Sequence, residues 1–307
     1  MRIVIVGAGA IGSWIAARLA LAGHRVTAFR RGGSVDAIRL TEQRSEQVVR
    51  LEHEPGVSDL IVIAVKAPGF ADAAEAARSL MSDHTLVLPM LNGIPWWFLS
   101  GEPLRSVDPD GRIAAALPLE RAVGCVIHAS CRTTGPNAVE VVHADKLILG
   151  EPGGEPSERI VTLAERLERA GIRVELSDNV RRAIWYKLWG NATLNPLSAL
   201  TRATAEQLLA DRELRAFMLD AMEELAAIGA AIGCPIGESG EDRMAVTARL
   251  GAFRTSMLQD VEAGRPIELE ALLGAPREIA QRAKIPTPKL DLLYAETRLM
   301  AASLGLL

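Results

Sequence analysis

Lys187, Asn191 and Asn195 stand four residues apart in the stretch Trp185-Tyr186-Lys187-Leu188-Trp189-Gly190-Asn191-Ala192-Thr193-Leu194-Asn195-Pro196. A helix advances about 100° per residue, so this spacing gathers one ammonium and two carboxamides into a narrow stripe. Tryptophans, leucines and alanine surround them, and a lysine directed into such surroundings is costly unless a partner or ligand answers its charge. Lys187 alone can snorkel to water, but three polar groups in register point to a site for a polar ligand. A lysine, whose ordinary pKa is about 10.4, arrives protonated. It can attract an anion, steady a developing alkoxide and deliver a proton, while neutral carboxamides orient the ligand without cancelling that attraction.

A second set of residues has a different chemistry. The β-branched run Arg2-Ile3-Val4-Ile5-Val6 leads into Gly7-Ala8-Gly9-Ala10-Ile11-Gly12 and then into Ser13-Trp14-Ile15-Ala16-Ala17-Arg18-Leu19-Ala20. Strand, G-x-G-x-x-G, helix is the setting in which this pattern binds a dinucleotide. Gly7 permits the tight turn, Gly9 lets backbone approach a pyrophosphate, and Gly12 lets helix and strand pack closely. The N–H groups of Ala10, Ile11 and the first helical turn remain for the phosphates. A second strand, residues 25–29, ends at Arg30-Arg31-Gly32-Gly33, where an NAD enzyme usually carries an acid for the ribose 2′-hydroxyl. Arg30 and Arg31 suit a 2′-phosphate instead, so the expected cofactor is NADP(H).

Further along, the strand at residues 59–65 delivers Lys66, and the strand at residues 84–88 delivers Asn92-Gly93, each at a C-terminal strand end where open α/β sheets hold ligands. Residues 69–81 read as a crossover helix. From residue 112 to 150 the spacing becomes strand-like, with later, partly antiparallel strands expected to complete the sheet. Residues 157–170 form an amphipathic helix, and residues 171–176 a last strand. Beyond Ser177-Asp178-Asn179 the chain is predicted to be helical: 183–194, broken at Asn195 by Pro196, then 204–210, 211–233, 244–263, 267–283 and 289–304. The expected domains are 1–176 and 177–307, with a ligand cleft between them.

Bulk properties narrow the classes. A chain of 307 residues suits two domains, and 49% hydrophobic with 23% charged residues and a net charge of −4 describes a soluble globular protein. The absence of a basic cluster longer than a pair argues against nucleic-acid binding. Three cysteines without a C-x-x-C read as reduced thiols in a cytoplasmic protein. The five histidines lack metal-ligand spacing, and no secretory leader or membrane helix is expected.

The chain resembles the ketopantoate reductase (2-dehydropantoate 2-reductase) family nearly end to end. The resemblance rests on Gly7-x-Gly9-x-x-Gly12, Lys66, Asn92-Gly93, the run from Lys187-Leu188 through Asn191 to Asn195-Pro196-Leu197-Ser198-Ala199-Leu200, and Ser256-Met257-Leu258-Gln259-Asp260 followed by Glu268. It implies an α/β fold, with an N-terminal Rossmann-type doubly wound sheet and a second, all-helical C-terminal domain. It also implies hydride transfer from NADPH to the C2 carbonyl of a branched 2-oxo acid, in a monomer or homodimer. By position, Lys187 is implied as general acid. Asn191, Asn195, Ser256 and Glu268 would hold substrate, with Glu268 meeting a substrate hydroxyl or orienting Lys187. Asn92 and Lys66 would meet cofactor and substrate.

One stretch departs from the family pattern: Leu91 precedes Asn92, and Ile94-Pro95-Trp96-Trp97-Phe98 follows Gly93. Core packing, a pocket wall and a subunit contact are the three readings of this aromatic run. The latter two would give a 2-oxo acid reductase whose pocket differs from that of the biosynthetic enzyme. Opine and 3-hydroxyacyl-type dehydrogenases share the expected architecture but lack the Lys-Asn-Asn helix or use a histidine. A non-catalytic NADP(H) sensor is the remaining alternative.

Overall fold

Short runs rich in Val, Ile and Leu build the first sheet, as expected for strands covered on both faces. The computed structural model describes residues 1–101 and 103–307. In it, β1 (Arg2–Val6) lies between β2 (Arg25–Arg30) and β6 (Leu60–Ile63), with β7 (Leu86–Pro89) beyond β6 and the short β3 (Gly33–Ser34) beyond β2. The β1–β2, β1–β6 and β6–β7 pairs are parallel, and only β3 runs antiparallel to its neighbour. Helix α1 (Ala10–Leu21) follows β1, and α2 (Phe70–Arg78) follows β6 through a single tight turn, Ala67–Gly69.

The strands expected to complete this sheet form a second one instead. β4 (Ala37–Glu42) and β5 (Ser45–Arg50) make a hairpin, β8 (Gly124–Gly135) and β9 (Ala138–Gly150) make another, and β10 (Val174–Leu176) runs parallel to β9. β4 joins the two hairpins by pairing parallel with β9. On its way to β8 the chain meets the first sheet at Ala122–Val123, where Val123 N–H donates to Val87 O across 2.9 Å. α1 explains why a second sheet is needed. Apolar nearly all round, it needs cover on more than one side, and its buried residues pack with β2 and also with β4, β5, β8 and β9. Trp14 and Arg18 pin it there, donating to the Glu42 carboxylate at 3.0 and 3.1 Å. Helix α3 (Arg112–Ala116) leads towards β8, and α4 (Glu158–Arg169) buries Ile160, Leu163 and Leu167 in the same core.

The two compact units are Met1–Leu91 with Asp110–Ala183, and Asn92–Pro109 with Ile184–Leu307. The first therefore runs past the expected boundary at residue 176, and the chain that leaves β7 through Asn92 belongs to the second. Among its described residues the second unit has no strand. Its helices are α5 (Val180–Thr201, beginning in the first unit), α6 (Ala205–Ala210), α7 (Arg212–Ala231), α8 (Gly240–Ala248), α9 (Ser256–Glu262), α10 (Ala275–Ala283) and α11 (Pro288–Leu304). The single helix expected over 244–263 is two, divided near Gly251, whose φ of 71° suits glycine. Nor does Pro196 break α5. An internal proline costs about 3 kcal/mol, but Leu194, Leu197 and Ala199 are buried on both sides of it and hold the helix through.

Candidate active site

Two tryptophans set the orientation of α5. Trp185 and Trp189 are almost fully buried, and their indole N–H groups donate to Leu225 O at 3.1 Å and Met222 O at 2.8 Å on α7. The seat for Trp185 exists because residue 229 is glycine; a Cβ there would lie 2.3 Å from the indole nitrogen. Lys187 is about 200° round the helix from Trp185, and Asn191 the same from Trp189. The pair that grips α7 thus turns the lysine and the asparagine to the opposite side, where both are half-buried. Asn195, expected at a helix break, sits inside the continuous helix and is only 5% exposed.

Asn92 joins this stripe directly. Asn191 Nδ2 donates to Asn92 Oδ1 across 2.9 Å. The next two residues fix the approach, because Gly93 has φ 105° and a Cβ on it would fall 2.5 Å from Ala271 O. Ile94 N–H then donates to that same carbonyl at 3.0 Å. Ala271 lies in a widened π turn, Glu270–Gly274, in which Ala275 N–H reaches back five residues to Glu270 O. In that register the donor for Ala271 O would be Pro276, which has no N–H, so the carbonyl is left for Ile94. Glu268, half-buried, stands just ahead of this helix rather than in its first turn. Lys187, Asn191, Asn92 and the turn after Glu268 are in this way built into one framework. Ser256 is exposed at the first position of α9, whose cap is Thr255, accepting from Leu258 N–H at 3.2 Å. Among the described residues no hydrogen bond joins Ser256 to the asparagines.

The aromatic run after Gly93 is core. Trp96, Trp97 and Phe98 are 6, 7 and 0% exposed, and Phe98 stacks on Trp185 with ring centroids 6.0 Å apart.

The nucleotide-type residues assemble within the first unit. Gly7 has φ 105°, and a Cβ on it would meet Val65 at 2.6 Å and Ala64 backbone at 2.8 Å. A Cβ on Gly12 would lie 2.0 Å from Gly7 O, whereas one on Gly9 would meet nothing within 4 Å. Two glycines are thus required by protein packing, and the third leaves open space before the N-terminus of α1. Ala10 and Ile11 begin that helix, and neither an acidic residue nor a capping side chain occupies its first turn. Gly7 and Ala8 N–H groups donate to Phe29 O at 2.9 and 2.7 Å, which ties the turn to the end of β2. Arg30 and Arg31 come next and are exposed. Lys66, also exposed, directly follows the residues against which Gly7 packs, at the start of the Ala67–Gly69 turn. Open backbone donors, glycine spacing and two unburied guanidinium groups fit a pyrophosphate and a further phosphate.

Sequence reasoning passed over Arg243 on α8. A Cβ at Gly190 of the site helix would lie 3.0 Å from its Nη2, and its guanidinium covers the Tyr186 ring at 5.3 Å. A glycine inside an otherwise well-formed helix was the available signal. Among the described residues no cluster of three or more His, Cys, Asp or Glu is placed to hold a metal ion. No helix among them is long and apolar enough to cross a membrane.

Two family models match the chain. Residues 3–154 match the model described as ketopantoate reductase PanE/ApbA, and residues 179–301 match its C-terminal counterpart. A 2-dehydropantoate 2-reductase of Mesorhizobium japonicum is 37% identical, over 99% of this chain and 99% of its own. A solved structure from Ralstonia solanacearum MolK2 is 43% identical, covers 100% of this chain and 99% of its own, and superposes with a TM-score of 0.94. That of the Methylococcus capsulatus 2-dehydropantoate 2-reductase is 29% identical, covers 99% of this chain and 98% of its own, and gives a TM-score of 0.84.

Proposed function

The chain belongs to the ketopantoate reductase family, and from that premise we propose that it uses NADPH to reduce 2-dehydropantoate, or a close analogue, with Lys187 as the general acid. Membership makes it an NAD(P)-dependent oxidoreductase that converts a 2-oxo acid to a 2-hydroxy acid. The observation carrying the finer reading is the polar framework on α5, where Asn191 is held by Asn92 at 2.9 Å one turn from Lys187. Nothing comparable is needed for packing, since the tryptophans on the other side already anchor the helix.

In this reading the bound nicotinamide supplies the hydride for the C2 carbonyl carbon. The Lys187 ammonium steadies the negative charge that grows on the carbonyl oxygen and gives it a proton, a role in which a positioned acid is worth about 10²- to 10⁴-fold. Asn191, Asn195, Asn92 and Ser256 hold and orient the oxo acid. Glu268 accepts from a substrate hydroxyl or orients Lys187. The Gly7-Gly9-Gly12 turn with Ala10 and Ile11 takes the pyrophosphate, Arg30 and Arg31 the 2′-phosphate, and Lys66 assists at the cofactor. Burial of Trp96, Trp97 and Phe98 favours their core role, so the aromatic run gives no reason to look for a different substrate. A cytoplasmic location suits this chemistry.

The test is cofactor oxidation measured across a panel of 2-oxo acids with NADPH and with NADH. The expected result is highest kcat/KM for 2-dehydropantoate, a preference for NADPH, and loss of that preference in the R30A/R31A variant. Equal efficiency with both cofactors, or a better oxo acid outside this branched class, would sink the corresponding part of the reading.

A further inference from the structure

We propose that Arg243 determines specificity by pairing with the carboxylate of the 2-oxo acid, next to the carbonyl oxygen served by Lys187. This rests on the reading of the α5 site given above.

Tyr186 and Gly190 are four residues apart and form the row beside Lys187 and Asn191 on α5. Arg243 lies across that row. Its guanidinium covers the Tyr186 ring at 5.3 Å, and its Nη2 and Nε would be 3.0 and 3.2 Å from a Cβ at residue 190. Glycine at 190 is what allows a cation to rest on the site helix itself.

That cation is poorly answered by the protein. Its Nε is buried without a hydrogen-bond partner, and Nη1 reaches only Thr247 Oγ1 at 3.5 Å, too long for a strong bond. No ion pair links Arg243 to a described carboxylate, whereas Arg18, Arg265 and Arg277 each have one and Arg112 has two. The ring it covers is held from its other end, where the Tyr186 hydroxyl donates to the Glu238 carboxylate. Nε is shielded by protein, so Nη2, which has no hydrogen bond among the described residues, is the edge left for a ligand. A half-buried guanidinium held in this way is costly unless an anion arrives. The anion of the proposed reaction is a carboxylate one bond from the carbonyl, and a planar fork is suited to it. Lys187 on α5 and Arg243, which reaches from α8 onto the neighbouring row of α5, then divide the two functional groups of a 2-oxo acid between them.

The test compares 2-dehydropantoate with its carboxamide, in which the charge is absent. In R243M the KM for the acid should rise about 10- to 100-fold, the loss expected for one charge-assisted bond. The kcat should change little, and KM for the carboxamide should stay at the wild-type value. R243K should fall between. G190A, which keeps the arginine but displaces it, should shift KM for the acid in the same direction. Thermal melts identify any variant that is merely unfolded. Wild-type KM for the acid in R243M, or equal losses for acid and carboxamide, would overturn the proposal. A calorimetric arm using pantoate and its amide with NADP⁺ needs no turnover. Selective loss of pantoate affinity in R243M supports the assignment even if the proposed reduction fails, and unchanged affinity overturns it.

Discussion

Asn191 donates its side-chain amide to the Asn92 side-chain carbonyl across 2.9 Å, joining residues 99 positions apart within the second unit. Each would be an unremarkable turn or helix residue alone; together they form one oriented pair. The N92A and N191A variants should each lower kcat/KM by about tenfold, in line with a hydrogen bond of ordinary strength. The N92A/N191A double variant should lose clearly less than the product of the two, because each single change already frees the other side chain. Strictly multiplicative losses in steady-state kinetics would show that the two act separately.

Lys187→Ala should reduce kcat by about 10²-fold or more. Lys187→Arg keeps the positive charge but holds its proton far more tightly, and should recover substrate affinity better than turnover. NADPH affinity, followed by quenching of tryptophan fluorescence, should be unchanged in both. A K187A enzyme with near-normal kcat would remove the general acid from the scheme.

The glycine turn offers a paired comparison. A Cβ at Gly12 would strike Gly7 O at 2.0 Å, while one at Gly9 would meet nothing within 4 Å. Gly12→Ala should therefore lower the melting temperature as well as cofactor binding. Gly9→Ala should melt like the wild type and still bind NADP⁺ more weakly, since its methyl group occupies space kept for the pyrophosphate. Calorimetric titration and thermal melting together check this; equal NADP⁺ affinity in G9A and wild type would contradict the assignment.

Glu278 on α10 controls the loop that returns from the Asn92 segment. Its carboxylate accepts from Arg105 N–H at 3.1 Å, Ser106 N–H at 2.8 Å and Ser106 Oγ at 2.7 Å, and pairs with Arg282 at 2.6 Å. Burial, the largest single influence, raises its pKa, but the donors from Ser106 and Arg105 and the Arg282 bond together bring it below the ordinary value. A depressed carboxyl stabilises the fold above its unfolded pKa of about 4.3. That stability is lost as pH falls through the lower folded value. Thermal melts of wild type and Glu278→Gln should therefore differ most near neutrality and converge in acid.

Much of the first sheet was legible because its signals are local. β-branched runs, a glycine turn at a strand end and an amphipathic helix each announce themselves within a dozen residues. The second sheet was missed for the opposite reason. Its inner hairpin turns at Gln43 and Arg44, with φ of 47° and 67°, so the residues carry none of the glycine or asparagine that usually marks such a turn. Its union with the long hairpin depends on β4 pairing with β9, about a hundred residues away. At the site, the Lys187-Asn191-Asn195 stripe could be read from spacing. The continuity of α5 through Pro196 could not, because burial of Leu194 and Leu197 overrode a sound local rule. For Arg243 the only local trace was Gly190 inside a helix, and that glycine says that something rests on it without saying which residue.

The widened turn at Glu270–Gly274 holds one residue more than a regular helix would need. Taking that residue out would not shorten the helix so much as swing everything ahead of it by about 100° relative to α10. Glu268 thus owes its bearing to a single inserted position, and a one-codon deletion there would re-aim the carboxylate and strip Ile94 of its acceptor while leaving the composition of the segment almost untouched.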